Sequence, residues 1–220
     1  INPIQLTNAE YRNKVTNTLN VTAYVSYNIA KNLTFKSTFG YIKLDRKDLQ
    51  FYDSISPFSV INGAANPVVR MDSVEQQTFT NSNVLTYGWT DQAKKHKIDV
   101  MVGEETYDLR TTNRYNQLRD YANFITPDEA FKNPSQATPF AGYPYKTQSK
   151  YTSLSFFGRL NYGFKDKYLF SFNVRQDGAS KFSPERRWGT FPSGSFAWRV
   201  KNESFLKEVD WINDLKFRAS

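Results

Sequence analysis

Between Tyr151 and Arg199 the side chains alternate in character with period two for long enough to exclude most folds. In the first run Leu154, Phe156, Leu160, Tyr162 and Phe164 share one parity, and Ser153, Ser155, Arg159 and Asn161 share the other. After Lys165-Asp166-Lys167 the pattern resumes, with Tyr168, Phe170, Phe172 and Val174 opposite Ser171, Asn173 and Arg175. Successive strand side chains point to opposite sides, so period two predicts strands with one greasy and one polar face. A third strand follows the Gln176–Arg187 loop. Each run is about ten residues, the length a tilted strand needs to cross a bilayer. The greasy faces end in Tyr and Trp, the residues that favour the membrane–water boundary.

The same pattern recurs upstream. Leu19, Val21, Ala23, Val25, Tyr27 and Ile29 oppose Asn20, Thr22, Tyr24, Ser26 and Asn28. A turn at Ala30-Lys31-Asn32, with Asn32 suited to a left-handed conformation, leads to a return strand bearing Leu33, Phe35, Phe39 and Tyr41 on one face. Gly40 on the polar face predicts a kink or a close approach. A third strand is expected over Phe79–Thr90 and a fourth from Ile98 to about Leu109, joined by a turn at Ala93–His96. The polar, proline-containing stretches 45–78 and 111–150 read as two long loops. Within the second, Thr126, Pro127 and Glu129 have the spacing of a capping box opening one helical turn. Residues 202–207 are expected to form a short helical insert, and an eighth strand begins near Leu215. Pro192 cannot donate to a ladder, so either the seventh strand carries a bulge there or its regular pairing begins at Ser193; the bulge is favoured because Thr190, Gly194, Phe196 and Trp198 keep parity through it.

Short turns therefore alternate with long loops, the asymmetry of outer-membrane barrels. The polar parity carries mostly Ser, Thr, Asn and Gly with isolated Arg, as expected of a wet lumen. The fold class expected is all-β, an antiparallel up-and-down transmembrane β-barrel with long extracellular loops, seen in part. The alternative is a soluble β-sandwich binding carbohydrate, in which the aromatic parity would be core. Mean hydropathy is −0.64 and there is no cysteine, so membrane helices, disulfides and thiolate metal sites are excluded. The net charge of +8 is scattered through turns, without the basic helix or RNA-reading motif of nucleic-acid binders. Ile1-Asn2-Pro3 and Leu215–Ser220 both read as mid-protein sequence, pointing to a segment of something longer.

Linked motifs in order carry a family resemblance. Phe157-Gly158-Arg159-Leu160-Asn161-Tyr162 is followed by Lys165-Asp166-Lys167-Tyr168-Leu169 and then by Arg175-Gln176-Asp177-Gly178 running to Phe182. Trp188-Gly189-Thr190-Phe191-Pro192-Ser193, Trp198-Arg199, Glu203-Ser204-Phe205-Leu206 and Leu215–Ser220 complete the series. This order resembles the SusC/RagA family of TonB-linked outer-membrane transporters over roughly the last third of the chain. Ala179 departs from it mildly, where such proteins often have a second serine. The resemblance implies a barrel of about 22 strands around a plug. It also implies an outer-membrane location, energy from an inner-membrane TonB complex, a SusD-like surface lipoprotein as partner, and glycan or peptide ligands. On this reading residues 1–220 are part of one barrel domain, about eight of its strands, with no plug and no TonB box.

Candidate sites follow from the two faces. Tyr115, Tyr121, Phe124, Tyr143 and Tyr145 crowd the second long loop, where flat rings can stack on sugars, dock a partner or pin the loop to itself. Arg159 and Arg175 are expected to face the lumen, paired with acidic groups of a plug. Glu104 and Glu105 are adjacent on a strand and so point to opposite sides. His96, alone in a Lys-rich turn, is expected to be exposed. Asp177 and Glu185 near Gly178 can be drawn as a calcium loop, but a plain turn accounts for them with fewer groups than the six or more oxygens calcium takes. No nucleophile–base set, phosphate loop or metal cluster is legible, so no enzyme activity and no cofactor are expected.

Overall fold

In a computed structural model of the chain, residues 2–206 and 209–220 are described. Ten strands form one sheet: β1 Glu10–Ala30, β2 Leu33–Tyr52, β3 Val68–Thr90, β4 His96–Tyr115, β5 Gln117–Arg119, β6 Thr138–Pro139, β7 Tyr145–Phe164, β8 Tyr168–Ala179, β9 Trp188–Arg199 and β10 Lys216–Ala219. Eight lie in the order β1-β2-β3-β4-β7-β8-β9-β10, a meander in which sequence neighbours pair. The order has two ends, so these strands do not close on themselves. Short helices α1 (Pro3–Asn8), α2 (Pro57–Asn62) and α3 (Pro127–Lys132) sit before or between strands.

The strands are longer than their alternation. β1 starts at Glu10 rather than Leu19, β3 at Val68 rather than Phe79, and β4 runs to Tyr115 rather than Leu109. The expected loop 45–78 shrinks to 53–67 around α2, because β2 continues to Tyr52 and β3 begins at Val68. The expected loop 111–150 shrinks to 116–144, which holds β5, α3 and β6. The added stretches, such as Asp45-Arg46-Lys47-Asp48 and Glu75-Gln76-Gln77, are polar on both parities. A ladder held by backbone bonds between two wet faces leaves no periodicity to read.

Three smaller expectations also change. Pro192 sits opposite Val174 with Phe191 opposite Arg175 and Ser193 opposite Asn173, so the register is one-to-one and there is no bulge. β10 pairs β9 only over Phe196–Arg199, so at Pro192 the strand is paired on the β8 side alone, where a proline nitrogen can turn to the unpaired side. Asn32 is not left-handed; Lys94, Lys165 and Asp166 are, the last two at 51° and 53° in the three-residue connection between Phe164 and Tyr168. The helical insert is limited to one 3-10 turn, Val200–Asn202, with Lys207 outside the described residues.

By contacts the chain divides into two units. One contains 21–41, 79–108 and 151–220. Its register puts Leu160, Phe172 and Gly194 on one face with Tyr162, Phe170 and Phe196, and Arg159, Asn173 and Ser193 on the other. The apolar face is not covered: Val25 is 69% exposed, Phe172 53% and Phe217 58%. A sandwich would bury these residues against a second layer, so the exposed face removes that alternative. Phe164, Tyr168 and Trp198 form an aromatic row across three strands, with centroids 6.4 Å apart at each step. Trp188, stacked 6.1 Å from Phe156, lies ten residues before Trp198 on β9. Ten residues are roughly 33 Å along a strand. At a tilt of ~40° they rise roughly 25 Å, the height of the apolar band of an outer-membrane barrel. On the polar face a Cβ at Gly40 would collide with Thr80 Oγ1, so Gly40 marks a close approach.

Beyond the row, Glu203 ties the segment after β9 back to the β7–β8 turn. Its carboxylate accepts from Lys167 Nζ and Tyr168 Oη, each at 2.7 Å, and from Trp198 Nε1 at 3.2 Å. The Lys167 ammonium, then the Tyr168 and Trp198 donors, hold the Glu203 pKa down at about 2. A carboxylate lowered on folding stabilises above its ordinary pKa near 4.5, and that stability is lost as pH falls towards 2. Protection against amide exchange at 200–206, relative to the intrinsic rate at each pH, is therefore expected to fall between about pH 4.5 and 2 in the native protein. Glu203→Gln should show the lowered protection already at pH 7; unaltered exchange in that variant would remove the clamp.

The other unit contains 1–20, 42–78 and 109–150. Phe51, Val69, Leu118, Tyr121 and Ala130 form its core, with Met71, Ile125 and Phe131 packed around them. β5 pairs β3 through Val69–Leu118 and β6 pairs β5 through Leu118–Pro139. The capping box is present: Glu129 N donates to Thr126 Oγ1 at 3.4 Å and Thr126 N to Glu129 Oε2 at 3.1 Å. The Thr126 hydroxyl and amide lower the Glu129 pKa.

Candidate functional site

On the polar face Phe157 lies over Gly103 so closely that a Cβ there would sit 2.6 Å from the ring. Arg175 stands across from Phe157 in register, its guanidinium 5.6 Å from the ring centroid. Arg175 Nε donates to Asp177 Oδ1 at 2.7 Å and Nη2 to Glu105 Oε1 at 3.2 Å. The wall itself thus supplies carboxylates to this arginine. Arg159 is paired in register with Asn173 and donates from Nε to its Oδ1 at 2.7 Å. Both arginines occupy the polar parity, as do Phe157 and Phe191, two rings that strict polar alternation does not predict.

A cavity of about 550 Å³ adjoins Arg175, lined by Tyr151, Ser155, Asp177, Phe182, Arg186 and Phe191. Rings flank charged and hydroxyl groups there, the makings of a binding surface and not of a reaction centre. Glu105 points to this face and Glu104 to the opposite one, where it accepts from Asn83 Nδ2 at 3.1 Å. Asp177, drawn above as a calcium candidate, is engaged with the arginine. His96 is half-buried and not free: Nδ1 is 2.8 Å from Tyr162 Oη, and its ring lies 5.0 Å from Phe164.

The five aromatic candidates of the second loop do not act as a set. Tyr115 and Tyr145 stack 4.7 Å apart at 24°, and Tyr143 tilts against Tyr145 at 5.1 Å. Tyr121 is only 2% exposed, donates to the Ala130 carbonyl at 3.1 Å, and has its phenol pushed up to about 12 by burial. It holds the loop together instead of presenting a ring. Phe124 is 89% exposed.

Two residues near the tyrosines escaped the sequence reading. Met71 and Asn116 exchange backbone hydrogen bonds, which sets Tyr115 across from Asp72. Arg70 Nη2 is 3.1 Å from Asp72 Oδ2, while Arg70 Nε and Asp72 Oδ1 are buried without a partner. Both lie in the stretch read as loop, and their only signal was a spacing of two on one parity.

The family described as TonB dependent receptor-like, beta-barrel matches residues 2–220. TonB-dependent receptor SusC of Bacteroides thetaiotaomicron is 39% identical over 164 residues, covering 74% of this chain and 15% of that protein. TonB-dependent receptor P3 of Formosa agariphila is 29% identical over 223 residues, covering 100% of this chain and 21% of that protein. The solved structure of the RagAB peptide transporter overlays with a TM-score of 0.77 at 21% identity, covering 96% of this chain and 23% of its own. The chain thus spans about a fifth of the proteins it matches. These relatives are receptors and transporters, not enzymes. Exposed apolar parity, aromatic rows and a meander of paired strands agree with the match along almost the whole length: this chain belongs to the TonB-dependent receptor β-barrel family, whose place is the outer membrane.

Proposed function

We propose that the protein to which these strands belong imports a bulky nutrient, a glycan or a peptide, across the outer membrane. The polar face is the lumen wall, and TonB-driven displacement of a plug opens the path. The turns at Lys31–Asn32, Asp91–Lys95 and Lys165–Lys167 face the periplasm, and the connections 53–67, 116–144 and 180–187 face outward. A SusD-like surface lipoprotein closes over that outward side. The observation that carries the reading is the uncovered apolar face opposite a hydrogen-bonded polar one. The likeness to the RagAB peptide transporter supports a peptide as one of these ligands.

Within this reading the ligand contacts are Tyr115, Tyr143 and Tyr145 with Asp72 and Arg70 in one unit and, separately, Arg175 in the other. Replacing Tyr115 and Tyr145 together by Ala is expected to lower uptake by about tenfold, each ring contributing ~0.5–1.5 kcal/mol. The test is uptake of labelled glycan and of labelled peptide by cells carrying the full-length variant, with surface amount and lipoprotein co-purification measured alongside. Loss of one uptake alone identifies the ligand class. Unchanged uptake of both removes the tyrosines from the path.

A further inference from the structure

The apolar face of the membrane-length unit is not uniformly filled. A cleft of about 540 Å³ opens on it near the 180–187 connection. One wall is aromatic: Phe79, 6.4 Å from Phe39 and 4.8 Å from Tyr41. The other is Trp188, whose ring lies flat over Gly178, within 2.8 Å of where a Cβ would stand. Leu154 lines the space between, and Thr106 and Gly178 keep its floor low. Only residues this small leave a trough there; larger side chains at those positions would level the face.

Three observations decide what fills it. The cleft lies on the apolar parity beside the bare rings of Phe39, Phe156 and Trp188, with Asn83 and Glu104 on the same face, and a void lined by rings forfeits their dispersion contacts unless a chain occupies it. Its floor also carries the polar groups of Asn81, Thr106 and Thr152. These mark the depth of glycerol and headgroup, where aromatic belts also lie. Finally, Arg187 lines the rim and is exposed. It belongs to a connection with Lys181, Arg186 and Arg187 against Glu185 alone. Asp108 lines the same cleft and is itself engaged, while the connection itself carries three basic side chains against one acidic.

We infer that this cleft is a lipid site: one acyl chain lies between Phe79 and Trp188, and the lipid's phosphate meets Arg187. An arginine suits a phosphate because its planar fork donates two parallel hydrogen bonds. The site depends on the membrane placement of the apolar face but not on what is transported. A bound lipid here would fasten the 180–187 connection to the bilayer surface.

The test uses the full-length protein in detergent, titrated with dioleoyl phosphatidic acid or with dioleoylglycerol, which shares the chains and lacks the phosphate. Binding is read by native mass spectrometry. The wild type should retain phosphatidic acid at least about tenfold more tightly than the diglyceride, the worth of one charge-assisted bond. Arg187→Gln should erase that difference and Arg187→Lys restore part of it. Thr106→Trp, which fills the trough, should lower binding of both lipids. Equal affinities in the wild type, or a preference untouched by Arg187→Gln, would overturn the inference. Heat-modifiable migration of each variant keeps misfolding from passing as lost binding. A full-length protein that needs no detergent would instead sink the membrane reading on which the site rests.

Discussion

Phe172→Arg is expected to cost the barrel ~2–4 kcal/mol for placing a charge near the bilayer midplane, and further stability for the ring it removes. Phe172 stands on the apolar face, four residues from Tyr168 in one aromatic row and six from Gly178 beneath Trp188 in the other. Its neighbours across the ladder are Leu160 and Gly194, neither of which offers an acceptor from its side chain. Snorkelling to either interface would need more reach than the side chain has. Asn173→Arg, one residue away, is the matched control. Asn173 faces the polar side, beside Arg159, so the new charge meets water and one like charge. It should cost about 1 kcal/mol or less. The measurement is denaturant unfolding of the full-length protein in lipid vesicles, with heat-modifiable gel migration as a second readout. Equal losses at 172 and 173 would mean that the two faces do not meet different solvents.

The same difference of solvent explains which parts of the fold were legible. Where one face meets hydrocarbon and the other water, each residue must be chosen for its side, and the sequence alternates. Leu19–Ile29, Leu154–Phe164 and Tyr168–Val174 are such stretches, and their strands, pairing and faces could be read from residue types alone. Glu10–Thr18, Asp45–Tyr52, Val68–Thr78 and Tyr145–Lys150 belong to the same strands, yet both of their faces are largely polar. The backbone ladder there continues without a pattern in the side chains. Pro192 misled for a related reason: the rule against proline concerns a strand paired on both sides, and at that position only β8 is paired.

The candidate site was legible only in part because it is made between strands. Arg175 and Arg159 could be assigned to the polar parity, but Glu105 as a partner depends on β4 lying beside β7, across a connection of 29 residues, 116–144. Arg70 and Asp72 were hidden by the misplaced loop boundary. The aromatic crowd between Tyr115 and Tyr145 looked like one surface, and period could not separate rings that pack inward from rings that do not. What did separate them was Tyr121's position two residues from Arg119, where β5 ends and the chain turns onto the core.

That division can be tested directly through Tyr121. Its ring is packed among Phe51, Val69, Leu118 and Ala130, and its hydroxyl donates to the carbonyl of Ala130 in α3. Tyr121→Ala removes a buried aromatic side chain and is expected to cost ~3–5 kcal/mol. The loss falls on the 116–144 connection: the core it weakens holds β5 and α3, while the ladder of β7, β8 and β9 is left intact. Tyr121→Phe keeps the ring and leaves the Ala130 carbonyl without this donor, an expected loss of ~1 kcal/mol. Limited proteolysis of the full-length protein in membranes should cut the Ala variant within 120–137 at least a hundredfold faster than wild type. The Phe variant should be cut only a few-fold faster, in keeping with opening equilibria shifted by those energies. Transport should fall with the Ala variant because Tyr115, Tyr143 and Tyr145 lose the framework on which they are held, and should be nearly retained with Phe. If instead Tyr121→Phe abolished transport while proteolysis stayed at the wild-type rate, the hydroxyl would be touching ligand, and Tyr121 would belong to the binding surface after all.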